Sequence, residues 1–469
     1  MSADVAIVPA VATANLAPAV SLTKRMLRAG GWVGAGQLFS YALRLGSTLV
    51  MTRLLAPEMF GVMAVVTIVI TVMTMLSDVG LHPSIVRSER GDETAFLDTA
   101  WTVQIVRGLL MWFAAALVAL AIHLASGEGL IPAGSTYAEP LLPVLILISA
   151  LASVITGFQS TNLFLAYRHL SMGRVVLLDA LVQLVGIVVS VALAWHWRSV
   201  WALVGGSLTS AFAQAILTHR LLPGPGNRLR WEKPALDELA GLGGAVMLSS
   251  TISVLAMNMD RILLGGMVGP ERLGLYTIAL TLSGVAFSVI ARVTSTVSLP
   301  ALSEVRRRGE ADFRAAYFRL RRLSDVTMLA AGGLICALGE VLVRVLYDAR
   351  YQEAGVILSI LGLSLLGSRY AIMQQVYLAL GQASRLVWLN GLALLALLVL
   401  VPATYAAFGF LAAVAAVALK DLATLPLIYY FNRQHGLNDL GYELRVLLVA
   451  PLAYGVGRLL ALLLAPLLS

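Results

Sequence analysis

Runs of about 20 apolar residues recur from Gly30 to the C-terminus, each long enough to cross a hydrocarbon core of about 30 Å as a helix. The ten-residue strand alternation that a transmembrane barrel needs is absent from the sequence. Composition points the same way: 59% of the 469 residues are hydrophobic and 12% charged, about half the charged share of roughly 25% in soluble domains. The chain reads as an all-α polytopic membrane protein. The expected spans are 30–55, 59–80, 99–124, 139–158, 172–195, 199–219, 240–266, 273–298, 326–347, 354–379, 387–407, 409–430 and 444–467, about thirteen (12–14) in all.

The loops test that division. If the N-terminus is cytoplasmic, alternate loops hold Arg87 and Arg90, then Arg168 and Arg174, then Arg228, Arg230 and Lys233, then the Arg306–Arg322 cluster, Arg385 and Arg433. The opposite loops hold little beyond Arg53, Arg198, Arg272 and Arg350. Lys and Arg stay on the cytoplasmic side of membrane proteins, and a miscounted span would invert the bias partway along. The net charge of +8 therefore reflects topology and not a nucleic-acid partner. Lys24, Arg25 and Arg28 precede the first span, and Met1 to Ser21 lacks the basic start and compact apolar core of a secretory signal.

A short phrase repeats 213 residues apart: Ala56-Pro57-Glu58-Met59-Phe60-Gly61-Val62 and Gly269-Pro270-Glu271-Arg272-Leu273-Gly274-Leu275. Each copy follows the first span of a six-span half. Six is even, so both halves enter the membrane from the same side, and the repeats are parallel about an axis along the membrane normal. The expected organisation is a mobile cytoplasmic tail (1–29), an N-terminal six-helix lobe (30–222), a cytoplasmic linker (223–239) holding Pro223-Gly224-Pro225-Gly226, a C-terminal six-helix lobe (240–430) and an additional segment (431–469). The Arg306–Arg322 stretch, with Phe313, Tyr317 and Leu320 interleaved, reads as an amphipathic helix on the cytoplasmic surface, against anionic lipid.

Several cations fall inside spans. An arginine at a helix centre costs roughly 2.5–3.5 kcal/mol on insertion scales, so such residues face partners or water. Gln37, Tyr41, Arg44 and Thr48 form one polar stripe on the first span. The fifth span carries Asp179, Gln183, Gly186 and Ser190 at like intervals, the eighth carries Thr277, Thr281, Ser288 and Arg292, and the third carries Gln104 and Arg107. Ser and Thr at such places ordinarily serve as glue between helices. Arg44, Arg107, Arg261, Arg292 and Arg369 exceed the acids in or near spans, Asp78, Asp179, Asp260 and Asp421. A guanidinium surplus in a wet central cleft suits an anionic ligand, and the planar fork of arginine matches phosphate oxygens. Candidate substrate-binding residues are these five arginines with Gln37 and Gln104.

Other chemistries lack their residues. None of the three lysines follows a glycine, which excludes a phosphate-binding nucleotide loop. The six histidines and single Cys336 have no metal-ligand spacing, so neither a cofactor nor a resident metal is expected. No large non-cytoplasmic loop offers an enzyme site. Asp78, Asp179 and Asp260 are the candidates for coupling to a proton or sodium gradient, because buried carboxylates change protonation near neutral pH.

The stretch Thr52-Arg53-Leu54-Leu55-Ala56-Pro57-Glu58-Met59-Phe60-Gly61, the following Ser77-Asp78-Val79-Gly80-Leu81, and Asn258-Met259-Asp260-Arg261-Ile262-Leu263-Leu264-Gly265 leading to Gly269-Pro270-Glu271 resemble Wzx-like polysaccharide flippases of the multidrug/oligosaccharidyl-lipid/polysaccharide exporter superfamily. The resemblance implies two six-helix lobes around a central cationic cleft in a bacterial inner membrane. It also implies flipping of an undecaprenyl-diphosphate-linked oligosaccharide to the periplasmic leaflet, for exopolysaccharide, capsule or O-antigen synthesis, alongside a polysaccharide polymerase and glycosyltransferases. A multidrug/cation antiporter and a lipid II flippase remain the alternatives. The antiporter calls for an acidic, aromatic cavity instead of an arginine-rich one.

Overall fold

The computed structural model describes residues 22–77, 80–306, 309–382 and 384–468, and all regular structure among them is helical. Backbone groups in lipid have no water to bond, so each segment closes its own N–H···O=C ladder. The first half contains α1 (Leu22–Leu54), α2 (Pro57–Leu76), α3 (Thr94–Gly127), α4 (Leu142–Gly157), α5 (Met172–Trp197) and α6 (Trp201–Leu221). The second contains α7 (Lys233–Met267), α8 (Pro270–Arg306), α9 (Glu310–Leu346), α10 (Glu353–Ala379), α11 (Ser384–Phe408) and α12 (Phe410–Arg433), and α13 (Leu440–Leu463) follows. Among the described residues, ten helices are long and apolar enough to cross a membrane, or eleven when α4 and Asn162–Arg168, which meet at 66°, count as one span. Helices α1 and α7, 33 and 35 residues long, open the two halves.

Packing order repeats between the halves. In the first, α1 lies on α5, α5 on α6, α6 on α4 and α4 on α3; in the second, α7 lies on α11, α11 on α12, α12 on α10 and α10 on α9. Across the halves, α2 packs on α8 and on α7. Leu109, Phe113 and Leu117 on α3 and Leu444, Leu459 and Leu463 on α13 remain exposed, as lipid-facing side chains do. Trp195 and Trp197 at the end of α5 and Trp388 at the start of α11 are also exposed, where an aromatic belt meets the headgroups.

The repeated phrase is a crossing point. Pro57 and Pro270 start α2 and α8, where proline's fixed φ favours the first helical position. A Cβ on Gly61 would fall 1.9 Å from the Pro270 carbonyl oxygen, and one on Gly274 1.8 Å from that of Pro57. The contact is reciprocal, as a two-fold relation between the repeats requires. Two helix N-termini meeting here carry like partial charges, and Glu58 and Glu271 in the first turns offset them.

The hydrophobic cores are distributed unevenly. Around this crossing one core joins both halves, with Val65, Val66, Leu264, Tyr276, Tyr347, Tyr351 and Val414 buried together. Toward the arginine-rich ends the cores separate: Leu302, Tyr317, Tyr377 and Leu437 cluster in the second half, and Leu163, Val175 and Leu178 in the first.

Two expectations on organisation change, and the connector gains contacts. The Arg306–Arg322 stretch is not a separate surface helix: from Glu310 it is the start of α9, one 37-residue helix about 55 Å long, with Phe313, Tyr317 and Arg321 buried. Helix α1 begins at Leu22, inside the expected tail; residues 1–21 lie outside the described residues. The connector between α6 and α7 is strapped down, because the backbone N–H groups of Arg228, Arg230 and Glu232 donate to Asp98, Thr102 and Thr99 of α3 at 2.9, 3.0 and 3.2 Å.

Candidate functional site

The stripe on α1 lines a pocket of about 560 Å³ against α5 and α6. Gln37, Tyr41 and Arg44 face Gln183, Ser190 and Ser210 across it, and no carboxylate is among its described lining residues. The Gln183 amide donates to the Ser40 carbonyl at 3.1 Å, fixing α5 to α1. Its other walls come from close helix packing: a Cβ on Gly186 would meet Ser210 Oγ at 1.9 Å, and one on Gly206 would meet Ser190 Oγ at 1.6 Å. These serines are thus glue and lining at once. One guanidinium among hydroxyls and amides can grip a phosphate and hydrogen-bond sugar hydroxyls. Asp179, on the same helix, is exposed and does not line the pocket.

Arg107 and Gln104 line a second pocket, about 260 Å³, between α3, α4, Thr74, Leu81 and His82. Arg107 Nε donates to Ser77 Oγ at 3.1 Å and its Nη2 to the Thr74 carbonyl at 2.9 Å. Gln104 is 6% exposed and its Nε2 donates to the carbonyls of Gly157 and Gln159 at 2.9 and 3.0 Å. Those carbonyls are freed where α4 breaks, so Gln104 acts as a helix C-cap.

Arg369 does not face a cavity. It is 3% exposed, with Nη2 at 2.7 Å from Glu443 and Nη1 at 3.3 Å from Asp325. Arg321 completes the cluster, with Nε 3.2 Å from Asp325 and Nη2 bonded to Glu443. Two arginines and two acids, flanked by Tyr317, Tyr370 and Tyr442, tie α13 to α9 and α10. The sequence reading missed Asp325 and Glu443, one residue outside the spans assigned at 326–347 and 444–467. Asp260 is likewise buried and accepts from the Tyr276 hydroxyl. Its neighbour Arg261 is half-buried, and its buried Nε has no hydrogen-bond partner among the described residues. Asp78 and the side chain of Arg292 lie outside the described residues.

A third feature, absent from the sequence reading, joins the halves beside the crossing of α2 and α8. The last carbonyls of a helix lack partners within it, and here the opposite half supplies them. Arg350 Nη2 donates to the Thr52 and Arg53 carbonyls at 3.0 and 3.3 Å, and Tyr351 Oη to that of Leu55 at 2.8 Å. In the mirrored position, Thr136 donates through N and Oγ1 to the Val268 carbonyl at 2.9 and 2.8 Å, and Tyr137 Oη to that of Ile262 at 3.1 Å. Leu55 and Val268 are 213 residues apart, the repeat offset. Asp348 holds Arg350 at 2.6 Å, and that guanidinium keeps the Asp348 carboxyl below the usual carboxylate range. A lowered pKa adds stability that is present above the unfolded value of about 3.9 and lost only as pH falls through the lower folded one. The clamp is therefore expected to stay unchanged between about pH 5 and 8. The check is the distance between spin labels at Glu58→Cys and Glu353→Cys, with Cys336 replaced; lengthening in that range contradicts it.

Long apolar helices, in two repeats joined at one face, define a multi-pass membrane protein. The fold is that of a lipid II flippase MurJ in an inward closed conformation, with a TM-score of 0.66 at 13% identity over 93% of this chain and 99% of that one. An inward-facing multidrug resistance MATE family transporter of the MOP superfamily gives 0.60 at 13% identity, covering 90% and 93% of the two chains, and an outward-facing one 0.53 at 14%, covering 92% and 94%. No curated protein sequence matches the chain. The chain belongs to the polysaccharide biosynthesis protein family, whose model matches residues 50–356.

Proposed function

We propose that the protein flips a polyprenyl-diphosphate-linked oligosaccharide from the cytoplasmic to the periplasmic leaflet of a bacterial inner membrane. It does so by alternating access between two parallel six-helix lobes, with its N-terminus cytoplasmic. The observation that carries the reading is the Arg44 pocket, a guanidinium among amides and hydroxyls with no carboxylate. A cationic drug has no counter-charge there, whereas a diphosphate and a chain of sugars find both. The polyprenyl tail stays in lipid outside the lobes. The shared core and the carbonyl latch lie on the face opposite the arginine-rich loops, which supports a state closed outward, with cargo entering from the cytoplasmic side.

The latch suits reversible closure. Its hydrogen bonds contribute about 0.5–1.5 kcal/mol each, and once opened its carbonyls face water. Arg350→Ala with Tyr351→Phe is expected to enlarge the outward-open population several-fold, read as a longer distance between labels at Glu58→Cys and Glu353→Cys; an unchanged distribution removes the latch from the gate. Arg44→Ala and Arg261→Ala are expected to abolish glycan export in a deletion strain while the protein still inserts. Normal export by either variant at wild-type expression removes that residue from the site. The candidate coupling acids are Asp78, Asp179 and Asp260, and transport indifferent to both proton and sodium gradients eliminates all three.

A further inference from the structure

The two arginine-rich ends neutralise their cations differently. In the first half Arg90 pairs with Glu93 and Glu232 at 2.8 Å each, and Arg168 and His169 share Asp92 at 3.0 Å. In the second half, the end of α8, the start of α9 and the end of α12 enclose a pocket of about 600 Å³ lined by Arg306, Arg314, Gln434 and His435 over Phe313 and Leu380. No carboxylate is among its described lining residues. Arg306 donates to the Ala379 carbonyl, and the Arg314 guanidinium lies 5.9 Å from the Phe318 ring centre. Arg385 beside them donates to Gln434 Oε1 and to the Phe431 carbonyl. Each partner is neutral, so it orients a guanidinium without cancelling its charge. The backbone turn at Gly436, with φ +61°, passes close to Arg314, since a Cβ there would lie 3.7 Å from Nη1.

We propose that this pocket is a phosphate site at the membrane rim, separate from the Arg44 pocket and independent of what that pocket carries. Like charges gathered with no carboxylate among the described lining residues repel one another until an anion arrives. Guanidinium groups, an amide and an imidazole are the donors that phosphate oxygens accept from, and Phe313 and Leu380 give the site an apolar side. An anionic phospholipid headgroup and a free diphosphate share this chemistry. Basic residues beside the cytoplasmic leaflet attract the first at about 1 kcal/mol each, and here they are gathered around a cavity.

The test uses purified full-length protein in phosphatidylcholine nanodiscs, titrated with phosphatidylglycerol and, separately, with inorganic pyrophosphate. Thermal unfolding and native mass spectrometry read the binding. Phosphatidylglycerol is expected to bind saturably, and Arg306→Gln with Arg314→Gln to weaken it about tenfold. Both side chains are exposed, so the variant is expected to fold, as circular dichroism checks. Competition by pyrophosphate identifies the phosphate alone as the determinant, whereas an effect confined to the lipid identifies the headgroup ester with its chains; either supports the site. Arg319→Gln, also exposed on α9 but outside the pocket, is the control. Equal weakening by Arg319→Gln, or wild-type binding by the double variant, overturns the proposal.

Discussion

Glu443→Gln is expected to destabilise the folded protein by about 3–5 kcal/mol, the cost of removing one partner from a buried ion pair. Arg321 and Arg369 are 1% and 3% exposed, and without Glu443 the two guanidiniums share Asp325 alone. The uncompensated charge sits where α13 meets α9 and α10, so the helix is expected to detach before the rest unfolds. Thermal unfolding in detergent, monitored together with protease cleavage near Gly436-Leu437, measures this. Glu443→Asp is expected to fall between wild type and Glu443→Gln. A shift in Glu443→Gln equivalent to less than about 1 kcal/mol would mean that the cluster is already hydrated. The outcome also separates two roles for Arg369: a cage residue is required for folding, whereas a cargo residue is required for transport in a stably folded protein.

Gly61→Val and Gly274→Val are each expected to separate α2 from α8. The opposing atom is a backbone carbonyl, 1.9 or 1.8 Å from the added Cβ, and a carbonyl in the first turn of a helix does not swing aside as a side chain does. Overpacking of this kind costs about 1–3 kcal/mol, and the strain falls on the interface that must re-form in every cycle. Transport is expected to fall at least tenfold in either variant. Because the contact is reciprocal, combining the two is expected to cost less than the sum of the single effects, since one displacement relieves both clashes. Full additivity contradicts a shared crossing point.

Helical class, the repeat and the grouping of Gln37, Tyr41 and Arg44 were legible because they depend on local sequence and period. The Pro-Glu-Gly phrase announced duplication, but its glycines gained a reason only from the opposing helix. Arg369 was misplaced because the boundaries at 326 and 444 fell one residue beyond Asp325 and Glu443, leaving its counter-charges among loop residues. A hydropathy edge cannot resolve one residue, and an acid hidden by tertiary pairing has no local signature. The same holds for Gln104, whose acceptors appear only where α4 bends, and for Arg350 and Tyr351, which resemble ordinary loop residues until the end of α1 lies against them. Arg321 was hidden in the polar pattern of α9, whose arginine-rich end is amphipathic because it packs on its own bundle and not on lipid alone.

Translocation of a fluorescent polyprenyl-diphosphate oligosaccharide in proteoliposomes tests the central claim most directly. Wild-type protein is expected to expose the labelled headgroup to a membrane-impermeant quencher on the far leaflet, and Arg44→Ala, equally well incorporated, is expected to reduce the rate at least tenfold. Headgroup exposure no faster than in protein-free liposomes, or an Arg44→Ala rate equal to wild type, would contradict it.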